Sequence, residues 1–296
     1  MIVIHIVNDY HIGGRAGSSR AVLVTGCSSG IGRATALALA QAGFPVWASA
    51  RKAGGLTELE RAGCRVLELD VTDERSRIAA VRRVEAEHGA VGVLVNNAGH
   101  GGGGPVEEVP LGLVRETFDT NVFGLIGMCQ LVLPGMRAQR SGLIVNLGSA
   151  AGLVTPPTGC PYAMTKYAVE SLCDALRLEV APFGIRVALI EPGAVRTRFL
   201  ANSELHKPED DGDGPYAVFK TNVGKMTARA HRDGARGVLE PGDVAEVIVK
   251  AVTARRPKAR YKVGSQARLA PVARRVLGDR WWDAFMRRMV PFPAPR

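Results

Sequence analysis

Tyr162 and Lys166 stand four residues apart in Tyr162-Ala163-Met164-Thr165-Lys166. On a helix that spacing puts the phenol and the ammonium on one face, with Cβ atoms about 6 Å apart. A phenol titrating at about pH 10 is a poor proton donor or acceptor at neutral pH, and a cation held close favours the phenolate and draws that pKa toward the working range. The pair is a candidate acid/base; its competing reading is a solvated helix face. A second cluster, Thr25-Gly26-Cys27-Ser28-Ser29-Gly30-Ile31-Gly32, follows an apolar β-branched run and opens an Ala/Leu-rich helical pattern. Glycine there lets the backbone turn tightly and approach an anion without a Cβ in the way, and the N-terminus of the following helix offers free N–H groups to a phosphate. The spacing is G-x-x-x-G-x-G rather than the commoner G-x-G-x-x-G, and a glycine turn without a ligand is the alternative.

The next apolar run, residues 45–50, leads to Arg51 and Lys52 with no carboxylate in reach. Where a dinucleotide is held, an acidic residue at that point bonds the ribose hydroxyls and a basic one accepts a 2′-phosphate. The bidentate fork of Arg51, with the Ser29 hydroxyl as a further donor, therefore points to NADP(H) as cofactor. The alternative is that Arg51 and Lys52 are ordinary surface charges. No metal is implied, because the six histidines form no ligand cluster.

These groups need a scaffold. From Arg20 onward, short β-branched runs (21–25, 45–50, 65–69, 91–96, 143–147, 185–190 and a weaker 261–264) alternate with helical patterns, among them 31–42, 73–88 and 162–180. The alternation predicts a doubly wound, three-layer α/β (Rossmann) fold with a parallel sheet of about seven strands, followed by a C-terminal helical extension. Residues 1–19 read as a loose leader, 20–264 as the nucleotide-binding domain with a polar, irregular segment at 198–237, and 265–296 as a basic amphipathic tail.

The chain has 296 residues, 46% apolar and 22% charged, with a net charge of +10. The charge is lopsided: residues 250–296 carry +11, and the preceding 249 residues net −1. That distribution argues against a nucleic-acid partner, which calls for a broad basic field over the body. Five cysteines without a C-x-x-C pair fit reduced thiols. No apolar run approaches a membrane span, and the opening residues lack a signal-type basic segment, so a cytoplasmic location is expected.

The order of motifs carries more than any one of them. With the TGCSSGIG loop, Asp70-Val71, Asn96-Asn97-Ala98-Gly99, Asn121, Ser149, the Tyr162/Lys166 pair, and Pro192-Gly193 followed by Thr197, the sequence resembles the short-chain dehydrogenase/reductase family, single-domain branch, from about Arg20 to Phe199 and on to Gly264. The resemblance implies an enzyme in which Tyr162 exchanges a proton with a carbonyl or hydroxyl oxygen and Ser149 hydrogen-bonds that oxygen. Lys166 would lower the Tyr162 pKa and hold the nicotinamide ribose, and Asn121 would anchor a water chain. The cofactor would meet Gly26, Ser28, Ser29, Gly30, Ile31 and Gly32 with its pyrophosphate, and Asp70 and Val71 with its adenine. Asn97, Ala98 and Gly99 would line the adenosine ribose, and Pro192, Gly193, Val195 and Thr197 would cover the nicotinamide. Each has a plain alternative: Asn97 ties strands together, Asp70 caps a helix, Pro192-Gly193 is a turn.

A pocket floor from Gly152 to Val154, with Pro156 and Cys160, suggests an apolar carbonyl or alcohol substrate. The loop, the strand end and the long C-terminus most resemble the hydroxysteroid/retinol dehydrogenase-type members. A 3-oxoacyl thioester reductase is the alternative enzyme, and a non-catalytic NADP-sensing regulator the alternative of another class. The resemblance also implies a homodimer or homotetramer. His100 is expected on a loop beside the cofactor. The tail has two readings: its apolar stripe packs on the body or covers the cleft, or it makes a peripheral contact with an anionic membrane surface.

Overall fold

The computed structural model describes residues 17–197, 199, 214–231 and 237–291. Most of the expected leader and much of the 198–237 segment lie outside the described residues. Seven short runs of Val, Ile, Leu and Ala pair in parallel: β1 (Val22–Val24), β2 (Val46–Ala50), β3 (Arg65–Glu68), β4 (Val93–Asn96), β5 (Gly142–Leu147), β6 (Ile185–Pro192) and β7 (Arg260–Val263). Their order across the sheet is β3-β2-β1-β4-β5-β6-β7. The chain builds outward from β1 to β3 and then crosses back to β4, so the β1/β4 junction is the point where the order reverses and a crevice opens at the carboxyl ends.

The strands are apolar on both faces because helices cover both. Val22, Val24, Val93, Val95, Leu143, Val145, Ala188 and Ile190 point to one core, against α1 (Gly30–Gln41) and the later α8 (Pro241–Thr253). Their neighbours Leu23, Leu94, Ile144, Val187 and Leu189 point to the other, against α3 (Glu74–His88), α5 (Leu125–Ala138) and α6 (Cys160–Val180). This is the period-two alternation of a sheet, here with both faces buried. A short α2 (Thr57–Arg61) joins β2 to β3. The start of α3 is set by Asp73, whose side chain accepts the Arg75 N–H at 3.0 Å. That of α8 is set by Glu240 and Asp243, which cap reciprocally.

Three elements differ from the sequence expectation. First, α6 begins two residues earlier, at Cys160, because Pro161 fits the first helical turn, where its missing N–H has no partner to lose. Second, α4 (Leu111–Phe118) does not continue directly into α5: the π-helical turn Asp119–Gly124, carrying Asn121, lies between them. Third, part of the segment expected to be irregular is a 15-residue helix, α7 (Ala217–His231). After β7 the chain enters α9 (Gly264–Met289) without a loop, and α9 is kinked at Gly278, where φ is 63°. Among the described residues, no helix is long and apolar enough to cross a membrane.

Candidate active site

The crevice at the β1/β4 junction is a cleft of about 1550 Å³. One end is built by backbone. The turn after β1 places Gly26, Ser28, Ser29, Gly30 and Ile31 along its wall, and Ser29 flanks α1 without capping it, leaving the first-turn N–H groups to an anion. Thr25 and Asn97 hold this turn in place: the Asn97 amide donates to Thr25 O (2.8 Å) and Gly26 O (3.1 Å), and Thr25 Oγ1 accepts the Asn97 and Ala98 N–H groups. Gly32, expected to touch the cofactor, lies behind the loop. A Cβ there would come within 2.4 Å of Gly26 O, so this glycine permits helix and loop to touch rather than meeting a ligand.

The rest of the expected set lines the cleft: Arg51, Asp70, Val71, Asn97, Ala98, Gly99, Ser149, Tyr162, Lys166, Pro192, Gly193, Val195 and Thr197. Arg51 is exposed at the end of β2, while Asp70 accepts from Thr72 N–H and Oγ1 rather than capping α3. The free helix N-terminus, the cation at the β2 end and a trough of dinucleotide length fit a nicotinamide dinucleotide.

At the centre of the cleft α6 presents Tyr162 and Lys166 toward the end of β5. Ser149 Oγ accepts the Ala151 N–H at 3.1 Å, which leaves its own O–H to point at the Tyr162 hydroxyl, with which it is hydrogen-bonded. Lys166, only 7% exposed, donates from Nζ to Leu147 O at 2.7 Å, and its Nζ lies 5.5 Å from the centroid of the Tyr162 ring. Burial pushes Tyr162 up to about 12, partly offset by the Ser149 hydrogen bond, and pushes Lys166 down to about 8. The expected lowering of the phenol is thus reversed: desolvation, which disfavours the phenolate, outweighs an ammonium whose hydrogen bond is spent on a strand carbonyl.

Asn121 is buried below the cleft wall, where its amide donates to His100 O (2.9 Å) and Thr165 Oγ1 (3.1 Å) and its carbonyl accepts the His100 N–H (3.0 Å). Thr165 in turn donates to Tyr162 O. The asparagine therefore ties the glycine-rich loop after β4 to α6. Thr165, unremarked in the sequence, is the link, and its position inside the Tyr162/Lys166 spacing is the only signal for it. His100 lines the cleft as expected. The glycines after it answer to packing: a Cβ on Gly103 would sit 2.4 Å from Thr158 O.

The far end of the cleft is apolar. Val154 and Pro156 line it, while Gly152 and Cys160 of the expected floor do not. Gly152 packs against the Lys166 backbone instead. Phe199 stacks on Tyr162 with ring centroids 5.2 Å apart, and Val223 and Met226 of α7 face Trp282, Phe285, Met286 and Met289 of α9. Helix α7 is held across the opening by Tyr216 Oη donating to Glu107 (2.7 Å), the Lys220–Glu108 ion pair (3.1 Å) and Asn222 donating to Pro291 O (2.7 Å). The aromatic and methionine wall was out of reach of local sequence reading because it is assembled from two helices 60 residues apart.

The family model for short chain dehydrogenases matches residues 20–208. The chain belongs to the short-chain dehydrogenase/reductase family. Among its relatives in this family, the 3-ketodihydrosphingosine reductase of Bacteroides thetaiotaomicron is 38% identical over 247 residues, covering 82% of this chain and 87% of that one. The human 17-beta-hydroxysteroid dehydrogenase type 1 is 36% identical over 270 residues, covering 87% and 81%. Two solved structures share the fold and carry nicotinamide dinucleotides. A serine dehydrogenase complexed with NADP+ has a TM-score of 0.71 and 30% identity, covering 83% of this chain and 94% of that one. A short-chain dehydrogenase/reductase from Burkholderia phymatum in complex with NAD has a TM-score of 0.74 and 26% identity, covering 95% and 100%.

Proposed function

We propose that the chain is an NADP(H)-dependent reductase of a lipophilic ketone or aldehyde. The observation that carries this reading is the meeting of Ser149 and Tyr162 at the midpoint of one cleft, between a phosphate-binding turn and an apolar wall of Phe199, Trp282, Phe285 and Met286. Bound NADPH supplies the hydride. Ser149 donates to the substrate carbonyl oxygen and fixes its position. Tyr162, kept protonated at neutral pH by burial, gives that oxygen its proton, which favours the reductive direction. Lys166 holds the nicotinamide ribose and passes protons toward Tyr162, and Asn121 anchors the water chain that supplies them. Arg51 receives the 2′-phosphate. The names of the two relatives, a keto-sphingosine reductase and a hydroxysteroid dehydrogenase, support a lipophilic substrate. Met164, Tyr167 and Leu178, exposed on α6, support a homo-oligomer.

The test is oxidation of NADPH and of NADH with aliphatic, aromatic and steroidal ketones and an acyl thioester, with Tyr162→Phe alongside. A faster reaction with NADH would overturn the role of Arg51, turnover surviving Tyr162→Phe would overturn the mechanism, and preference for the thioester would replace the substrate class.

A further inference from the structure

Helix α9 touches the body along a narrow stripe. Ala267, Ala270, Trp282, Met286 and the following Val290 are buried or half-buried, a spacing near three to four residues that marks one face. The opposite face is both apolar and basic. Leu269, Val272 and Val276 run along its first half at i, i+3 and i+7, Val276 being 79% exposed, and Trp281 beyond the Gly278 kink is 65% exposed. Among them stand the exposed Arg268, Arg275, Arg280, Arg287 and Arg288. The acids of the helix are Asp279, which is paired with Arg274, and Asp283. At about 1.5 Å per residue this face extends some 40 Å along the molecule and ends where Phe285 and Met289, half-exposed, form the lip of the cleft.

We infer that the outer face of α9 is a docking surface for an anionic lipid bilayer. Apolar side chains of this size left in water mark an interaction site, and the charge decides the partner. A second copy of the chain meeting this face about a two-fold axis would set arginine against arginine. An anionic bilayer complements them, taking the apolar side chains into the headgroup boundary while the guanidinium groups stay among the phosphates. Each basic residue near such a surface contributes about 1 kcal/mol, so five suffice for reversible binding at ordinary salt. The docking stands on the helix alone. Only its corollary, that the lip of the cleft then faces the lipid so that an apolar substrate enters without crossing water, rests on the function proposed above.

The experiment is co-sedimentation of the full chain with phosphatidylcholine vesicles, with and without about 30% phosphatidylglycerol, read without turnover so that it stands apart from the assay of activity. Binding to the anionic vesicles at least about tenfold above the neutral ones, lost in high salt, is expected. Val272→Ser with Val276→Ser, and separately Arg275→Gln with Arg280→Gln and Arg288→Gln, should each reduce it several-fold while the thermal melt stays that of the parent chain. Equal binding to both vesicle types, or none, overturns the inference. So does a serine variant that binds vesicles as before but changes the oligomeric mass in sedimentation, which would make α9 a subunit interface.

Discussion

Lys166 and Glu170 are neighbours one turn apart on α6, both buried, yet they answer to different partners. Lys166 faces the cleft, donates to one strand carbonyl and has a pKa pushed down to about 8 by burial. Glu170 faces the β6/β7 edge, where Arg260 Nε donates to it at 3.0 Å and Arg260 also reaches Asp174 at 2.7 Å, one turn further on. Against Glu170 lies Glu191 of β6, 0% exposed. Burial and the adjoining Glu170 carboxyl hold Glu191 well above the usual carboxylate range, with Lys262 and Arg260 pulling the other way. Two carboxyl oxygens in contact need a proton between them. The first turn thus keeps a charge poised beside open space, and the next locks helix to sheet. Burial of ionisable groups serves reaction at one and attachment at the other.

The comparison can be broken at either turn. Tyr162→Phe should lower kcat/KM for the best ketone about 10³-fold by removing the proton donor, with a melting temperature within about 2 °C of the parent. Lys166→Met should cost about 10²-fold in kcat and leave unfolding by urea within about 1 kcal/mol, since removing a buried cation offsets the lost bond to Leu147. Across the turn the balance should invert. Arg260→Leu, which strands Glu170 and Asp174, should destabilise the fold by about 2 kcal/mol with kcat unchanged; a fall in kcat as deep as that of Lys166→Met would erase the distinction.

The smallest effect is expected from Glu191→Gln, and its sign follows from the raised pKa. A carboxyl at about 7 when folded and near its model value of 4.5 when unfolded contributes stability that is present below about pH 4.5 and lost as pH rises through about 7. The glutamine variant should therefore match the parent near pH 4 and exceed it by about 1 kcal/mol near pH 8. Parallel urea midpoints for the two proteins over that range would remove Glu191 from the account.

What was legible in the sequence was what is local. The glycine turn, the Tyr162/Lys166 spacing and the two-sided apolar strands each occupy a few consecutive residues, and the sheet assembles them as their patterns demand. Glu191 was not legible, because in Ile185-Arg186-Val187-Ala188-Leu189-Ile190-Glu191 it reads as the polar end of a strand. Only the packing of α6 and β7 over it shows that it is buried. The Tyr162 pKa was misjudged for a related reason: the neighbouring charge is written in the sequence and the burial is not. Helix α7 lacks a clean apolar period, since its inner face meets a cleft rather than a core.

The π-helical turn at Asp119–Gly124 has a consequence for how this chain tolerates insertions and deletions. A π turn spends one residue more than an α turn, so deleting any residue there could restore a regular helix locally. It would also rotate everything downstream by about 100°, swinging Met128, Cys129, Val132 and Met136 out of the core they fill. The spare residue is therefore a phase setting shared by the site and the core, and no length variant of this segment can adjust one without dismantling the other.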